Sequence, residues 1–249
     1  MSGTGGTKGA PGTQPVTRPT AGRETPTGLP SGAQAGASAL ALSLREIKKA
    51  RAKIALYEAS LDLIGSASFR AVKLEDICAR AEVSKVTFFK FFPQKEDVLI
   101  YFMYVWLLER LLEIEESGLR GAAAIRHVLG SVADGSRTRP GLMLSLIGFL
   151  AESQMHPCMP ALSDAELHLL FPGREERARS TPVDLFAFFR RAIDEAKAEG
   201  TCVRAEPTAA LSQGLITVFY GAYLTAHMCR QDIMDTYELH LAFLFERKE

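Results

Sequence analysis

The stretch that decides the fold is FRAVKLEDICARAEVSKVTFFKFFPQKEDVL, running from Phe69 to Leu99. Its apolar residues fall at helical steps in two short blocks. The first, from about Leu74 to Arg80, buries Leu74, Ile77 and Cys78. After Ala81, Glu82 and Val83 a second block opens at Ser84, whose hydroxyl is placed to cap the free amides of the following turn, and it runs to about Phe91. Neither block is long enough to be helical alone, so a third element must complete their core. The preceding residues supply it. Ile47, Ala50, Ile54, Tyr57, Leu61 and Ile64 recur at steps of three and four, one apolar stripe on a helix that starts near Ser43 and stops at Gly65 and Ser66. Three helices joined in this way are how a helix-turn-helix presents its last helix to the major groove. Spacing alone leaves that reading level with an ordinary helical hairpin bearing a solvated charge run.

The chemistry of the second block favours DNA. Val83, Phe88 and Phe92 face inward, while Lys85, Val86, Thr87, Phe89 and Lys90 lie on or near the outward face. Thr87 offers a hydroxyl to a base edge, Val86 a surface for a thymine methyl, and Lys85 and Lys90 positive charge. Lys95, with the amides that open the next helix, is read as a phosphate clamp. The chain as a whole is neutral, with 29 Lys and Arg against 29 Asp and Glu. The balance is uneven along its length: Arg45 to Asp97 carries 11 basic and 8 acidic residues, and Val98 onward carries 15 and 20. A polyanion belongs on the basic side of that division.

Working outward, Pro93 interrupts the pattern and a long helix from about Lys95 to Glu116 leads away. Further helices are expected near 120–135, 141–156, 162–170, 181–199, 207–229 and 232–247, separated by proline and glycine. No period-two stretch and no internal repeat is visible. The expected fold is all-α: a three-helix helix-turn-helix domain at 43–94, then a larger helical bundle at 95–249. Residues 1–40 contain no aromatic side chain and are rich in Gly, Thr, Pro, Ala and Ser, so a disordered tail over 1–42 is expected, an inert extension rather than a DNA-binding arm. No basic-then-apolar leader and no run of 18 apolar residues is present, so the expectation is a cytoplasmic protein without a membrane partner. Cys78, Cys158, Cys202 and Cys229 form no C-x-x-C pair and read as intracellular thiols. His127, His156, His168, His227 and His240 form no H-E-x-x-H, so no metal is expected. No nucleophile-base pair, phosphate loop or paired-carboxylate spacing stands out; neither an enzyme nor a cofactor is expected.

The arrangement over 47–99 is more specific than any of its pieces. Phe69, Ile77, Ala81, Val83-Ser84, Thr87-Phe88-Phe89, Phe92, Lys95-Glu96 and Val98-Leu99 resemble the amino-terminal domain of the TetR/AcrR family of transcriptional regulators. The resemblance implies that Lys85, Val86 and Thr87 read base edges and that Ser84 opens the reading helix. Phe89 and Phe91 fall where the family reaches the DNA backbone, and Lys95 where it anchors a phosphate. Three departures stand out. Lys73 replaces a capping threonine, at a cost of about 1 kcal/mol to the short helix, though its ammonium can reach a phosphate. Glu82 replaces a turn glycine, at a cost of about 1 kcal/mol if the backbone there takes positive φ. Phe89 and Phe91 lack the hydroxyl that would donate to a phosphate.

The resemblance also implies a homodimer on a near-palindromic operator, with a larger domain that binds a small molecule and pairs through its last two helices. A dimer interface is expected on Leu211, Leu215, Val218 and Phe219, facing Ile233, Tyr237, Leu241 and Leu244; the alternative is that one of these helices is central to the monomer core. An apolar pocket is expected from Phe102, Trp106, Met143, Phe149, Phe186, Phe189, Phe219 and Tyr223, with His127 and Gln154 as polar members. The function implied is a regulator, usually a repressor in this family, released from its operator by a small apolar ligand. The alternative is a helical adaptor that has lost specific DNA binding.

Overall fold

The computed structural model describes residues 42–65, 68–153 and 161–245. The expected tail lies outside them apart from Leu42. Order begins with a reciprocal cap: the Ser43 hydroxyl accepts the Glu46 amide at 3.2 Å, and the Glu46 carboxylate accepts the Ser43 amide at 2.9 Å. This starts α1 (Leu44–Ile64), which ends at Gly65 in positive φ. A 3-10 turn at Phe69–Ala71 leads to α2 (Leu74–Arg80), α3 (Lys85–Phe91) and the long α4 (Asp97–Glu116). There follow α5 (Gly121–Thr138), α6 (Pro140–Ser153), α7 (Asp164–Leu170), α8 (Glu175–Ser180), α9 (Leu185–Ala198), α10 (Thr208–Cys229) and α11 (Ile233–Leu241). The described residues form helices throughout, with one isolated bridge between Cys202 and Phe245. None of these helices is long and apolar enough to cross a membrane.

Two hydrophobic clusters hold the elements together. Leu56 and Ile64 of α1, Ile77 of α2 and Phe88 of α3 meet Val98, Leu99 and Tyr101 of α4, and this cluster continues into Leu146 of α6 and Leu167 of α7. The second joins Leu107 and Leu111 of α4 to Ile125 of α5, Phe189 of α9, Leu215 of α10 and Tyr237 of α11. Thus α4 contributes to both. Its apolar residues cover most of its circumference because it is covered at one end by α1–α3 and at the other by the bundle. Backbone contacts reinforce the junction. The Phe69 amide donates to Ser145 Oγ at 2.8 Å, and the Gly141 amide to the Gly65 carbonyl at 3.1 Å, so α6 is bonded to the loop that precedes α2.

The elements depart from the expected ones in three places. The helix expected at 181–199 starts at Leu185, because Asp184 accepts the Phe186 and Ala187 amides and caps it there. The turn of helix α8 was not expected; Pro172-Gly173 reads as a break, and six residues are too few for a periodic pattern. The final helix stops at Leu241, and Phe245 turns back to meet Cys202.

The expected dimer interface is largely corrected. Leu211, Leu215, Phe219, Tyr237 and Leu241 are buried within the chain itself. The Tyr237 hydroxyl donates to the Phe219 carbonyl at 2.8 Å, clamping α11 onto α10. Val218, Ile233 and Leu244 are partly buried against the same cluster. The apolar circumference of α10 is thus covered by α9 and α11 of its own chain. What these two helices and the turn after α11 leave outside is different: Met228 at 80% exposure, Leu239 at 60% and Phe243 at 59%.

Candidate nucleic-acid interface and internal cavity

The stretch from α2 to α3 departs at two positions from what its residue types favour. Lys73 occupies the N-cap position of α2 and makes no side-chain cap bond. Glu82 takes φ +54°, the left-handed conformation that glycine adopts without strain. The Val83 amide closes the turn on the Cys78 carbonyl at 3.0 Å. Ser84 then caps α3: its Oγ accepts the Thr87 amide at 3.2 Å and lies 3.0 Å from the Thr87 hydroxyl. Phe88 and Phe92 point inward and are fully buried. On the outside lie Lys85, Val86, Phe89 and Lys90, with Val86 at 68% and Phe89 at 48% exposure, and Thr87 half-buried beside them. An exposed valine and phenylalanine, flanked by lysines on a rigidly capped helix, suit a surface that packs against base edges and sugars. Lys85 is ion-paired with Glu75, whose carboxyl it holds below the ordinary range.

Two of the expected DNA contacts are placed otherwise. Phe91 is partly buried and packs against the first cluster, so its ring completes the core. Lys95 is turned toward the protein. Its ammonium donates to the carbonyls of Phe69 at 3.0 Å, Arg70 at 3.3 Å and Val72 at 3.0 Å, and lies 5.0 Å from the centre of the Phe69 ring. An ammonium has three N–H donors, and these three carbonyls use them. Lys95 therefore caps the 3-10 turn and fixes its position against α4. The physical reason is the cluster of carbonyl oxygens gathered where that turn ends, of which that of Phe69 also accepts the Val72 amide at 3.1 Å.

Behind α3 lies a contact network that the sequence reading did not find. Phe88 touches Phe92, Phe92 meets Tyr101 edge-on, and Tyr101 meets Tyr57, with ring centres 5.5, 5.7 and 5.2 Å apart. Lys53 lies over the Tyr101 ring at 4.3 Å and reaches Glu166 at 2.7 Å. The Tyr101 hydroxyl donates to the same carboxylate at 2.8 Å, and Ser163 donates both its amide and its hydroxyl, at 3.0 and 2.6 Å. Burial alone pushes the Glu166 carboxyl up; the Lys53 and Ser163 bonds more than reverse this and hold it below its usual value. One carboxylate thereby joins α1, α4 and α7. The Ser-x-x-Glu spacing of 163–166 is a legible capping signal, but its buried lysine partner 113 positions earlier in the chain is not.

Between α4, α5, α6, α9 and α10 lies a cavity of about 1200 Å³. Five expected pocket residues are on its wall: Phe102, Trp106, Met143, Phe186 and Phe219. Four are not. His127 bonds Glu113 at 2.8 Å on a partly exposed face, where α5 crosses the end of α4. Phe149 lines a separate cavity of about 150 Å³ beside the 3-10 turn. Phe189 and Tyr223 are buried in the second cluster, filling the space between helices instead of bounding the void. Gln154 lies outside the described residues. The sequence reading missed the cavity's cationic members, Arg110, Arg139 and Arg190, because an isolated arginine on an amphipathic helix reads as solvated surface.

Residues 56–102 match the family model for bacterial regulatory proteins of the tetR family. No curated protein matches the sequence. Three solved structures share the fold. Reduced NemR of E. coli has 17% identity and a TM-score of 0.52, covering 80% of this chain and all of its own. Thermus thermophilus FadR, a TetR-family repressor in complex with lauroyl-CoA, has 17% identity and a TM-score of 0.51, covering 79% and 97%. A TetR-family regulator of Syntrophomonas wolfei has 18% identity and a TM-score of 0.50, covering 79% and 93%. Residues 56–102 therefore carry the helix-turn-helix of the tetR family of bacterial regulatory proteins, in a chain that shares the all-helical fold of these solved structures.

Proposed function

We propose that this chain is a dimeric, ligand-responsive repressor of transcription, acting in the cytoplasm on a near-palindromic DNA operator. It divides into a DNA-binding part at 43–94 and an effector-binding and dimerising part at 95–249. The observation that carries this reading is the double duty of α4. Val98 and Leu99 belong to the core under α3, and one to two turns later Phe102 and Trp106 form the wall of the cavity. A molecule entering the cavity must press on the helix that supports the reading face. α6 offers a parallel route, since Leu146 lines the cavity while Ser145 holds the Phe69 amide. The ligand then favours a dimer whose two α3 helices are spaced wrongly for successive major grooves, and operator affinity falls. Ser84, Lys85, Val86, Thr87, Phe89 and Lys90 face the groove, with Lys73 on a phosphate. Met228, Leu239 and Phe243 are the apolar residues that a partner would cover.

The test is fluorescence anisotropy of the full-length protein against duplexes from the DNA flanking its own gene, at two salt concentrations. Tight, salt-sensitive binding to one fragment, saturating at an even number of chains, supports the regulator. Binding no stronger than to random duplex at every fragment, with no salt dependence, would favour an adaptor that keeps the fold without the contacts.

A further inference from the structure

We infer that the cavity selects an amphipathic organic anion, with the charged head held at Arg110 and Arg190 and an apolar body lying toward Phe102. This deepens, and rests on, the reading of the cavity as a ligand site.

The cavity is graded along α4. Phe102, Trp106 and Arg110 stand four residues apart on one helical face, so the wall passes from apolar to aromatic to cationic over about 12 Å. The polar end is shared. His127 bonds Glu113 at 2.8 Å and fixes the register of α5 against α4. Arg110 lies about one turn before Glu113, and Ser131 one turn after His127, which brings both to the same level of the wall. Met143, Leu146 and Phe219 line the remainder.

The charges there are unequally satisfied. The two acids on the wall already have partners: Asp184 caps α9 through the Phe186 and Ala187 amides, and Asp134 bonds Arg137 at 2.7 Å. Arg139 is drawn toward Asp62 at 3.8 Å. Arg110 bonds Glu109 and Glu113 through one terminal nitrogen, at 3.0 and 2.5 Å, yet its buried Nε–H finds no acceptor among the described residues. Arg190 makes no hydrogen bond or ion pair among the described residues. Unused guanidinium donors on the wall of a largely apolar void match a carboxylate or sulfonate better than an uncharged or cationic head. A neutral acceptor would satisfy the Arg110 Nε–H but leave the Arg190 charge uncompensated, and a cation would add a like charge beside Arg190.

The test uses a matched pair of fluorescent probes, 8-anilinonaphthalene-1-sulfonate and N-phenyl-1-naphthylamine, which share an aromatic body and differ in the sulfonate. Trp106 is the only tryptophan of the chain and stands on the cavity wall, so energy transfer from it reports binding at this site. The expected result is that the anion binds tighter than the neutral probe by about tenfold or more. Arg110→Gln and Arg190→Gln are each expected to erode that preference and leave the neutral probe's affinity unchanged. Arg190 is exposed, so Arg190→Gln keeps the test open should Arg110→Gln fold poorly, which near-ultraviolet circular dichroism would reveal. Equal binding of both probes through Trp106, or a preference that survives both substitutions, overturns the anion and leaves the ligand site standing. Transfer to neither probe overturns the ligand site as well.

Discussion

Glu82 and Lys95 show how much a single position decides. At Glu82 the chain spends strain on its turn: φ is +54°, and an L side chain there costs on the order of 1 kcal/mol. Glu82→Gly is expected to raise the unfolding free energy by about that amount, measured by urea denaturation, whereas Glu82→Ala keeps the strain and gives no such gain. It also removes a negative charge beside the DNA-facing helix, so operator affinity should rise rather than fall. Lys90 and Lys95 have the same side chain in different settings. Lys90 is exposed on α3, and the Lys95 ammonium is bound to three carbonyls. Lys90→Ala is expected to flatten the salt dependence of DNA binding by about one counterion without altering stability. Lys95→Ala should leave the salt slope alone and cost about 2 kcal/mol of stability, as the loss of hydrogen bonds from a charged donor does. The reverse assignment would return Lys95 to the phosphate.

Among elements, the connection between α1 and α7 is unusual in being ionic and buried. Lys53 and Glu166 are 16% and 7% exposed, and Tyr101 of α4 bonds the same carboxylate. Removing one partner from such a pair leaves a buried charge, so Glu166→Gln is expected to destabilise by roughly 3 kcal/mol at neutral pH. The sign of the pH dependence follows from the lowered carboxyl. A depressed glutamate stabilises the fold above its unfolded value of about 4.3, and that contribution is lost as the pH falls through the lower folded value. The stability gap between wild type and Glu166→Gln should therefore be flat near neutrality and narrow below about pH 4. A gap that persists unchanged in acid would show that the carboxylate's charge is not what joins these helices. In the proposed mechanism this connection holds α7 to the DNA-binding part while α4 and α6 feel the cavity.

At the scale of the whole molecule, the question is which surface of α10 and α11 is spent inside the chain and which is left for a partner. Leu215 is fully buried, and Leu239 and Phe243 are largely exposed. Leu239→Glu with Phe243→Glu is expected to shift the protein to monomer in sedimentation velocity at micromolar concentration, with the monomer still folded. Leu215→Ala should instead cost about 2–5 kcal/mol of stability through the cavity it leaves. If Leu215→Ala dissociated a folded dimer and the surface pair had no effect, the packing of α10 against α9 and α11 would have to be revised.

Along this chain, local patterns were enough for the helices whose signals are local. The stripe from Ile47 to Ile64, the Ser84 cap, and the inward Phe88 and Phe92 all follow from residues within one or two turns of each other, while the strain at Glu82 was expected only from the family resemblance. The all-helical class was legible because periodicity and turn chemistry are near-neighbour properties, whereas spacing left the helix-turn-helix level with a plain helical hairpin until the family resemblance decided it. What only the tertiary structure decided are the contacts between residues far apart in sequence. Nothing local distinguishes a lysine that meets phosphate from one that meets the carbonyls of Phe69 and Val72, 26 and 23 positions away. An apolar helix such as α10 reads the same whether its cover is its own α9 and α11 or a second copy. The Lys53–Glu166 pair and the arginines of the cavity belong to that class too, because charge and burial meet there only after folding has chosen the neighbours.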